Sequence, residues 1–141
     1  MQEKIRVGFA ESCTGGAISS TFIRFPGASR YMIASVVAYA DDAKELLCGV
    51  RREALQKYGA VSKEVALEMA EGIFRQLCLD LAVSVTGLFG PGGGSTAKPV
   101  GTVYVAIRRK EGGSVHELPI PSGLTRSGYF RETVRQTIGL L

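Results

Sequence analysis

Residues 5–16 read Ile5-Arg6-Val7-Gly8-Phe9-Ala10-Glu11-Ser12-Cys13-Thr14-Gly15-Gly16. Ile5–Ala10 is a short apolar run of the kind that forms a strand, and it is closed by a Ser/Thr/Gly cluster. Behind it, Ala17–Arg24 reads as a helix, because Ile18, Thr21, Phe22 and Phe25 recur at helical spacing. Ser12 therefore stands where a strand hands over to a helix. The same alternation continues downstream. Phe25–Ser29 is a turn, Tyr31–Tyr39 reads as a buried strand rich in Val and Ile, and Asp41 or Asp42 can cap a short helix through Leu47. Arg52–Tyr58 suits a second short helix. Ser62 is a good N-cap, with Glu64 in the first turn, for a helix whose stripe is Val65, Ala66, Met69, Ala70, Ile73 and Leu77. Leu81–Val85 is a central strand, Gly101–Arg109 another, Gly112-Gly113 a turn, and Ser114–Pro121 a last strand antiparallel to its predecessor. Thr125–Leu141 closes as a helix with Phe130, Val134, Ile138 and Leu141 on one face. Alternating strands and helices give an α/β layered domain.

Composition narrows the function classes. The 141 residues amount to one domain, 1–141, with no visible repeat or linker. A domain of this size buries about two-thirds of its unfolded surface, enough for a core without staples. Hydrophobic residues are 45% and charged residues 21%, a globular rather than a disordered profile. The longest apolar run, Tyr31–Ala40, is half of the ~20 residues a spanning helix needs. Met1-Gln2-Glu3-Lys4 leads into Ile5 without the pattern of a secretory leader, so the expected location is the cytoplasm. Three cysteines (Cys13, Cys48, Cys78) lack C-x-x-C spacing and argue against a disulfide framework or a zinc site. A single histidine, His116, argues against a metal enzyme or a Ser-His-Asp enzyme. The net charge of +4 is mild, and Arg108-Arg109-Lys110 reads as a solvated strand end rather than a nucleic-acid footprint.

Parallel strands with helical crossovers place their ligand outside the carboxyl ends of the strands. Three segments end there. Ser12–Gly16 opens a helix, so its N–H groups suit a phosphate, a carboxylate or an oxyanion, or else Ser12 or Thr14 simply caps the first turn. Lys44 lies in the first turn of its helix, where the dipole and burial disfavour the ammonium. It is a candidate base for a serine, or a solvated surface lysine. The loop Thr86–Gly94 carries Gly90-Pro91-Gly92-Gly93-Gly94, which lets backbone approach a ligand, with Lys98 as a nearby charge, or is a plain crossover loop. Cys13 ranks below Ser12 as a nucleophile because no histidine lies near it in sequence. Of Arg126, Arg131 and Arg135, one on the inner helix face could hold a phosphate.

In combination these residues resemble a known family. Ala10-Glu11-Ser12-Cys13-Thr14-Gly15-Gly16, Pro26-Gly27-Ala28-Ser29, Val37-Ala38-Tyr39 with Ala43-Lys44, Gly59-Ala60-Val61-Ser62, Val85-Thr86-Gly87 with Gly90-Pro91-Gly92-Gly93, and Lys98-Pro99-Val100-Gly101-Thr102-Val103-Tyr104 are similar to the C-terminal domain of the competence/damage-inducible CinA family, in order and over nearly the whole chain. The resemblance implies a three-layer α/β/α domain with a mixed, mostly parallel sheet. It implies nicotinamide mononucleotide deamidase activity, giving nicotinic acid mononucleotide and ammonia in pyridine nucleotide recycling, with no metal or organic cofactor. It further implies Ser12 as nucleophile, Lys44 as base and Tyr39 orienting the lysine or sharing its proton. Glu11, Thr14, Gly15, Gly16, Ser29, Thr86, Gly87, Gly92 and Gly93 are implied to bind substrate, and Arg131 the nucleotide. A homo-oligomer is also implied, and no membrane or nucleic-acid partner.

The sequence departs from the family pattern in places. Members usually carry a helix ahead of the first strand, whereas four residues precede Ile5 here. Phe89 stands where a smaller residue is common, and Ser127-Gly128-Tyr129-Phe130 where Gly-Asp is common. Two further readings remain at this stage: a nucleotide-binding module of the same family without turnover, and a nucleic-acid-associated competence factor, which no interleaving of aromatic and basic residues supports.

Overall fold

The computed structural model describes residues 4–141. Its strands are β1 (Val7–Glu11), β2 (Met32–Val37), β3 (Leu81–Gly87), β4 (Val103–Arg109) and β5 (Gly112–Glu117), and its helices α1 (Ala17–Phe22), α2 (Asp41–Cys48), α3 (Arg52–Tyr58), α4 (Lys63–Gln76) and α5 (Arg126–Gly139), with a 3-10 turn at Ala28–Arg30. They form one five-stranded sheet in the order β2-β1-β3-β4-β5. β1 pairs parallel with β2 and β3, β4 is antiparallel to β3, and β5 is antiparallel to β4. Four of the five strands therefore point the same way, so the sheet is mixed and mostly parallel.

Side-chain size sorts the two faces of the sheet. Successive strand residues point to opposite faces. Ala10, Ala82 and Ala106 share one apolar cluster with α2, α3 and α4, whereas Val7, Phe9, Val83, Val85, Val103, Val105 and Ile107 share the other with α1 and α5. The small residues let α4 lie close to the sheet, and Ser84 Oγ donates to the Ala66 carbonyl of α4 across that face. α4 follows the expected pattern: Ser62 Oγ accepts from Val65 N at 3.2 Å, and Val65, Ala66, Met69, Ala70 and Ile73 are buried. With α1 and α5 on the opposite face, the result is a three-layer α/β/α arrangement.

Five local expectations are corrected. β2 is an edge strand, with Ile33 and Val37 40% and 47% exposed, because β1 occupies the interior position between β2 and β3. The β4–β5 turn is Lys110-Glu111, while Gly112 and Gly113 are in β5 opposite Arg109 and Arg108. A Cβ on Gly113 would lie 2.9 Å from Leu67 Cδ1 of α4, which a small shift of that exposed leucine would relieve. β5 ends at Glu117 rather than Pro121. The fully buried face of α5 is Tyr129, Thr133 and Thr137, one residue out of phase with the expected stripe, while Phe130, Val134 and Ile138 are partly buried and Leu141 is exposed. Threonine is small enough to let α5 approach α1. Helix α2 is capped by Ala40, and Asp41 and Asp42 occupy its first turn.

The basic cluster at the β4 end is engaged. Arg108 pairs with Glu71 and lies over the Phe74 ring at 4.4 Å, and Lys110 pairs with Asp80 at 2.9 Å. Among the described residues no helix is long and apolar enough to cross a membrane.

The tightest approach between layers tests this packing. A Cβ on Gly72 of α4 would come within 1.5 Å of the Cys48 carbonyl oxygen at the end of α2. Gly72→Ala is expected to destabilise the fold by about 3 kcal/mol, at or beyond the upper end of overpacking costs. The check is urea unfolding, with a lower midpoint and an unchanged slope.

Candidate active site

The site grows out of the strand order. β1 lies between β2 and β3, so residues leaving those two strands flank whatever follows Glu11. Ser12 N donates to Val85 O at 3.0 Å and Ala38 N to Glu11 O at 2.9 Å, which extends both pairings by one residue. Ser12 is thereby held between Tyr39 and Lys44 on one side and Thr86 and Gly87 on the other. All five line one cavity of about 190 Å³ at the carboxyl end of the sheet, together with Cys13, Gly92 and Arg126.

Glu11 builds the turn that follows. Gly15 and Gly16 both have positive φ (56° and 101°), which reverses the chain into α1 at a place where side-chain-bearing residues are strained. Gly16 caps the helix without a side chain. The orphan N–H groups of Ile18 and Ser19 donate instead to the Glu11 carboxylate, at 2.7 and 3.0 Å. Thr14 Oγ1 and Ser19 Oγ donate to it as well, at 2.7 and 2.8 Å, and Ser35 Oγ at 3.3 Å. Glu11 is fully buried. The positive end of α1 is thus neutralised from inside the protein and is not open to a ligand anion.

Lys44 is 1% exposed and its ammonium donates to the Tyr39 carbonyl at 2.7 Å. Burial holds its pKa below the ordinary lysine value, with Asp41 the main opposing influence. Ser12 is 7% exposed. Burial also pushes the neighbouring Cys13 thiol up to about 12, so it is no thiolate at neutral pH. Thr86 Oγ1 donates to Ala60 O at 2.8 Å and draws the segment before α4 against the cavity.

Other expected site residues fall elsewhere. Glu11 and Thr14 are turned into the protein interior, and neither they nor Gly15, Gly16 and Gly93 line the cavity. Ser29 sits in the exposed 3-10 turn before β2, at the amino ends of the parallel strands. α1 has carried the chain back along the sheet by then, as a parallel crossover must. Arg131 lines an adjoining groove of about 500 Å³ with Arg126, Ser127, Phe130, Cys13 and Phe89. The Lys98 ammonium donates to the Tyr58 carbonyl at the C-terminal end of α3, where a cation is favoured. The Tyr39 ring is 61% exposed, so its contact with Lys44 is through the main chain and not the phenol.

The CinA C-terminal domain family matches residues 1–141. The chain belongs to this family. A CinA-like protein of Leptospira borgpetersenii is 45% identical over 138 residues, covering 97% of this chain and 32% of the relative. One from Fervidobacterium nodosum is 52% identical over 101 residues, covering 72% and 25%. The chain thus spans about a third or less of these curated relatives' length. The crystal structure of competence/damage inducible protein CihA from Agrobacterium tumefaciens superposes with a TM-score of 0.91 at 38% identity, covering 97% of this chain and 83% of that one. A CinA superfamily protein from Escherichia coli gives 0.86 at 30% identity, covering 98% and 81%.

The sequence offered Arg126 only as one of three arginines, with Arg131 and Arg135, of which one could hold a phosphate. Arg126, the first residue of α5, donates to Gly90 O at 2.5 Å and to the Tyr39 hydroxyl at 3.3 Å, and it lines both the cavity and the groove. A signal for it existed. Thr125 is the N-cap, so Arg126 places a cation at the positive end of a helix, against the dipole. Among the described residues no group of three or more His, Cys, Asp or Glu side chains could hold a metal ion.

The buried lysine has a stability signature. Its folded pKa lies below the unfolded value of 10.5, so the folded state binds the proton less readily than the unfolded chain. That destabilisation is fully present below the folded pKa and vanishes as pH rises past the unfolded one. Lys44→Met is expected to stabilise the fold at neutral pH by on the order of 1 kcal/mol. The gain should shrink towards pH 10.5, as urea unfolding across pH will read.

Proposed function

We propose that this CinA-type domain is a Ser-Lys amidohydrolase acting on the carboxamide of nicotinamide mononucleotide. The observation that carries the reading is Lys44: a lysine buried in a cavity with a serine hydroxyl, its ammonium set against a main-chain carbonyl and not a carboxylate. Such a lysine gives up its proton more readily than an exposed one, as a general base must. The cavity is smaller than the ~300–1,000 Å³ typical of drug-sized ligands, and so suits the reacting head of a substrate. The adjoining groove, with the Arg126 and Arg131 guanidiniums, suits an anionic tail such as a phosphate.

The chemistry is acyl transfer. Neutral Lys44 takes the Ser12 hydroxyl proton while Ser12 Oγ attacks the carboxamide carbon. As the tetrahedral intermediate collapses, lysinium protonates the leaving nitrogen, ammonia departs, and an ester to Ser12 remains. Neutral Lys44 then takes a proton from water, whose oxygen attacks the ester. The proton returns to Ser12, and nicotinic acid mononucleotide leaves. Tyr39 orients the base through its carbonyl.

Backbone geometry supports an oxyanion donor. Leu88 N donates to Thr102 O, so Leu88, and with it Thr86, faces β4 in the antiparallel ladder. Val85 and Gly87 have the opposite parity and face the β1 side. Val85 O accepts from Ser12 N there, and the Gly87 N–H points to where β1 has ended and Ser12 begins. One such donor is worth about 3–4 kcal/mol in the transition state.

The test is ammonia release from nicotinamide mononucleotide, beside nicotinamide riboside and free nicotinamide. Wild type should turn over the mononucleotide best, with a rate rising with pH as Lys44 deprotonates. Ser12→Ala should lose at least 10³-fold, roughly the cost of removing a nucleophile. Nucleotide binding by calorimetry with no ammonia release would favour a binding module without turnover.

A further inference from the structure

We propose that Phe89 sets the substrate range of this site, as a wall that admits to Ser12 a pyridine ring carrying nothing beyond its carboxamide and its link to the nucleotide tail. The proposal rests on the amide-hydrolysis reading above. Among the described residues, only Cys13, Phe89 and Arg126 line both the cavity and the groove. Cys13 is small, and Arg126 is a long, exposed side chain. Phe89 is 4% exposed, and its ring meets Phe130 of α5 nearly edge to face, with centroids 6.1 Å apart and planes at 76°.

The backbone on both sides of Phe89 is fixed. Leu88 N donates to Thr102 O at 2.9 Å and Gly101 N to Leu88 O at 2.7 Å, while Gly90 O accepts from Arg126. These bonds fix where the Cα of Phe89 lies, and swinging the ring aside would forfeit its burial and the Phe130 contact. Shortening this side chain widens the passage between the cavity of about 190 Å³ and the groove of about 500 Å³, so the limit on head size should relax.

The experiment compares nicotinamide mononucleotide with an analogue methylated on the pyridine ring, in wild type, Phe89→Leu and Phe89→Ala. Readouts are kcat/KM for ammonia release and, by calorimetry, Kd for the two corresponding carboxylic acids. Wild type should prefer the unmethylated compound by about 10- to 200-fold, the range for one extra carbon in an apolar pocket. The ratio should fall at least tenfold in a variant that circular dichroism shows to be folded. Phe89→Leu keeps most of the apolar volume and carries the test if Phe89→Ala unfolds. An unchanged ratio in the folded variants, or equal handling of both compounds by wild type, overturns the proposal. If wild type releases ammonia from neither compound, the amide-hydrolysis reading fails, and the Kd ratio of the acids decides the role of Phe89 by the same criterion. Binding of neither acid overturns it too.

Discussion

The Glu11 carboxylate at the end of β1 accepts from two backbone N–H groups of α1 and from the hydroxyls of Thr14, Ser19 and Ser35. A buried carboxylate is costly unless its lone pairs are satisfied, and hydrogen bonds to a charged group are worth about 1.5–3 kcal/mol each. Five donors offset that cost and fix three things together: the end of β1, the Thr14–Gly16 turn and the start of α1. Ser35 adds β2 to the same node. Ser12 is the next residue, so its position follows from this network and not from contacts of its own side chain. The strand order then places the ends of β2 and β3 on either side of it.

The second constraint runs against stability. Burying Lys44 with only a carbonyl for its ammonium disfavours the protonated form, and an apolar residue there would cost the fold less. Fold and chemistry meet because the same strand ends that shield Lys44 from water also hold Ser12. Residues such as these, which break a local rule without a structural gain, are where function is expected. Arg126, a cation at a helix N-terminus, belongs to the same class.

Much of the fold was legible because apolar periodicity reports burial directly. The α4 stripe with its Ser62 cap and the strand–turn–helix at residues 5–16 followed from pattern alone. β2 did not, since a Val/Ile-rich run reads alike in the middle and at the edge of a sheet, and only the strand order separates the two. The α5 face slipped by one residue because Thr133 and Thr137 are buried for their size and not for their hydrophobicity. At the site, Ser12, Lys44, Thr86 and Gly87 were readable as segments that end on the same side of a parallel sheet. The inward turn of Glu11 was not, because a carboxylate beside a serine reads equally well as a ligand contact or as a cap. Ser29 entered through the family resemblance alone, and the resemblance does not say which end of the sheet the returning chain has reached; here it stands in the turn before β2, away from the cavity.

We propose that burial is what makes Lys44 a base. A direct measurement is the titration of its Nζ by nuclear magnetic resonance in the free protein, assigned by comparison with Lys44→Met. A midpoint below the ordinary lysine value is expected, moving further from that of the exposed lysines when Asp41 is replaced by Asn, because Asp41 is the main group favouring the charged form. A midpoint at or above that of the exposed lysines would contradict it.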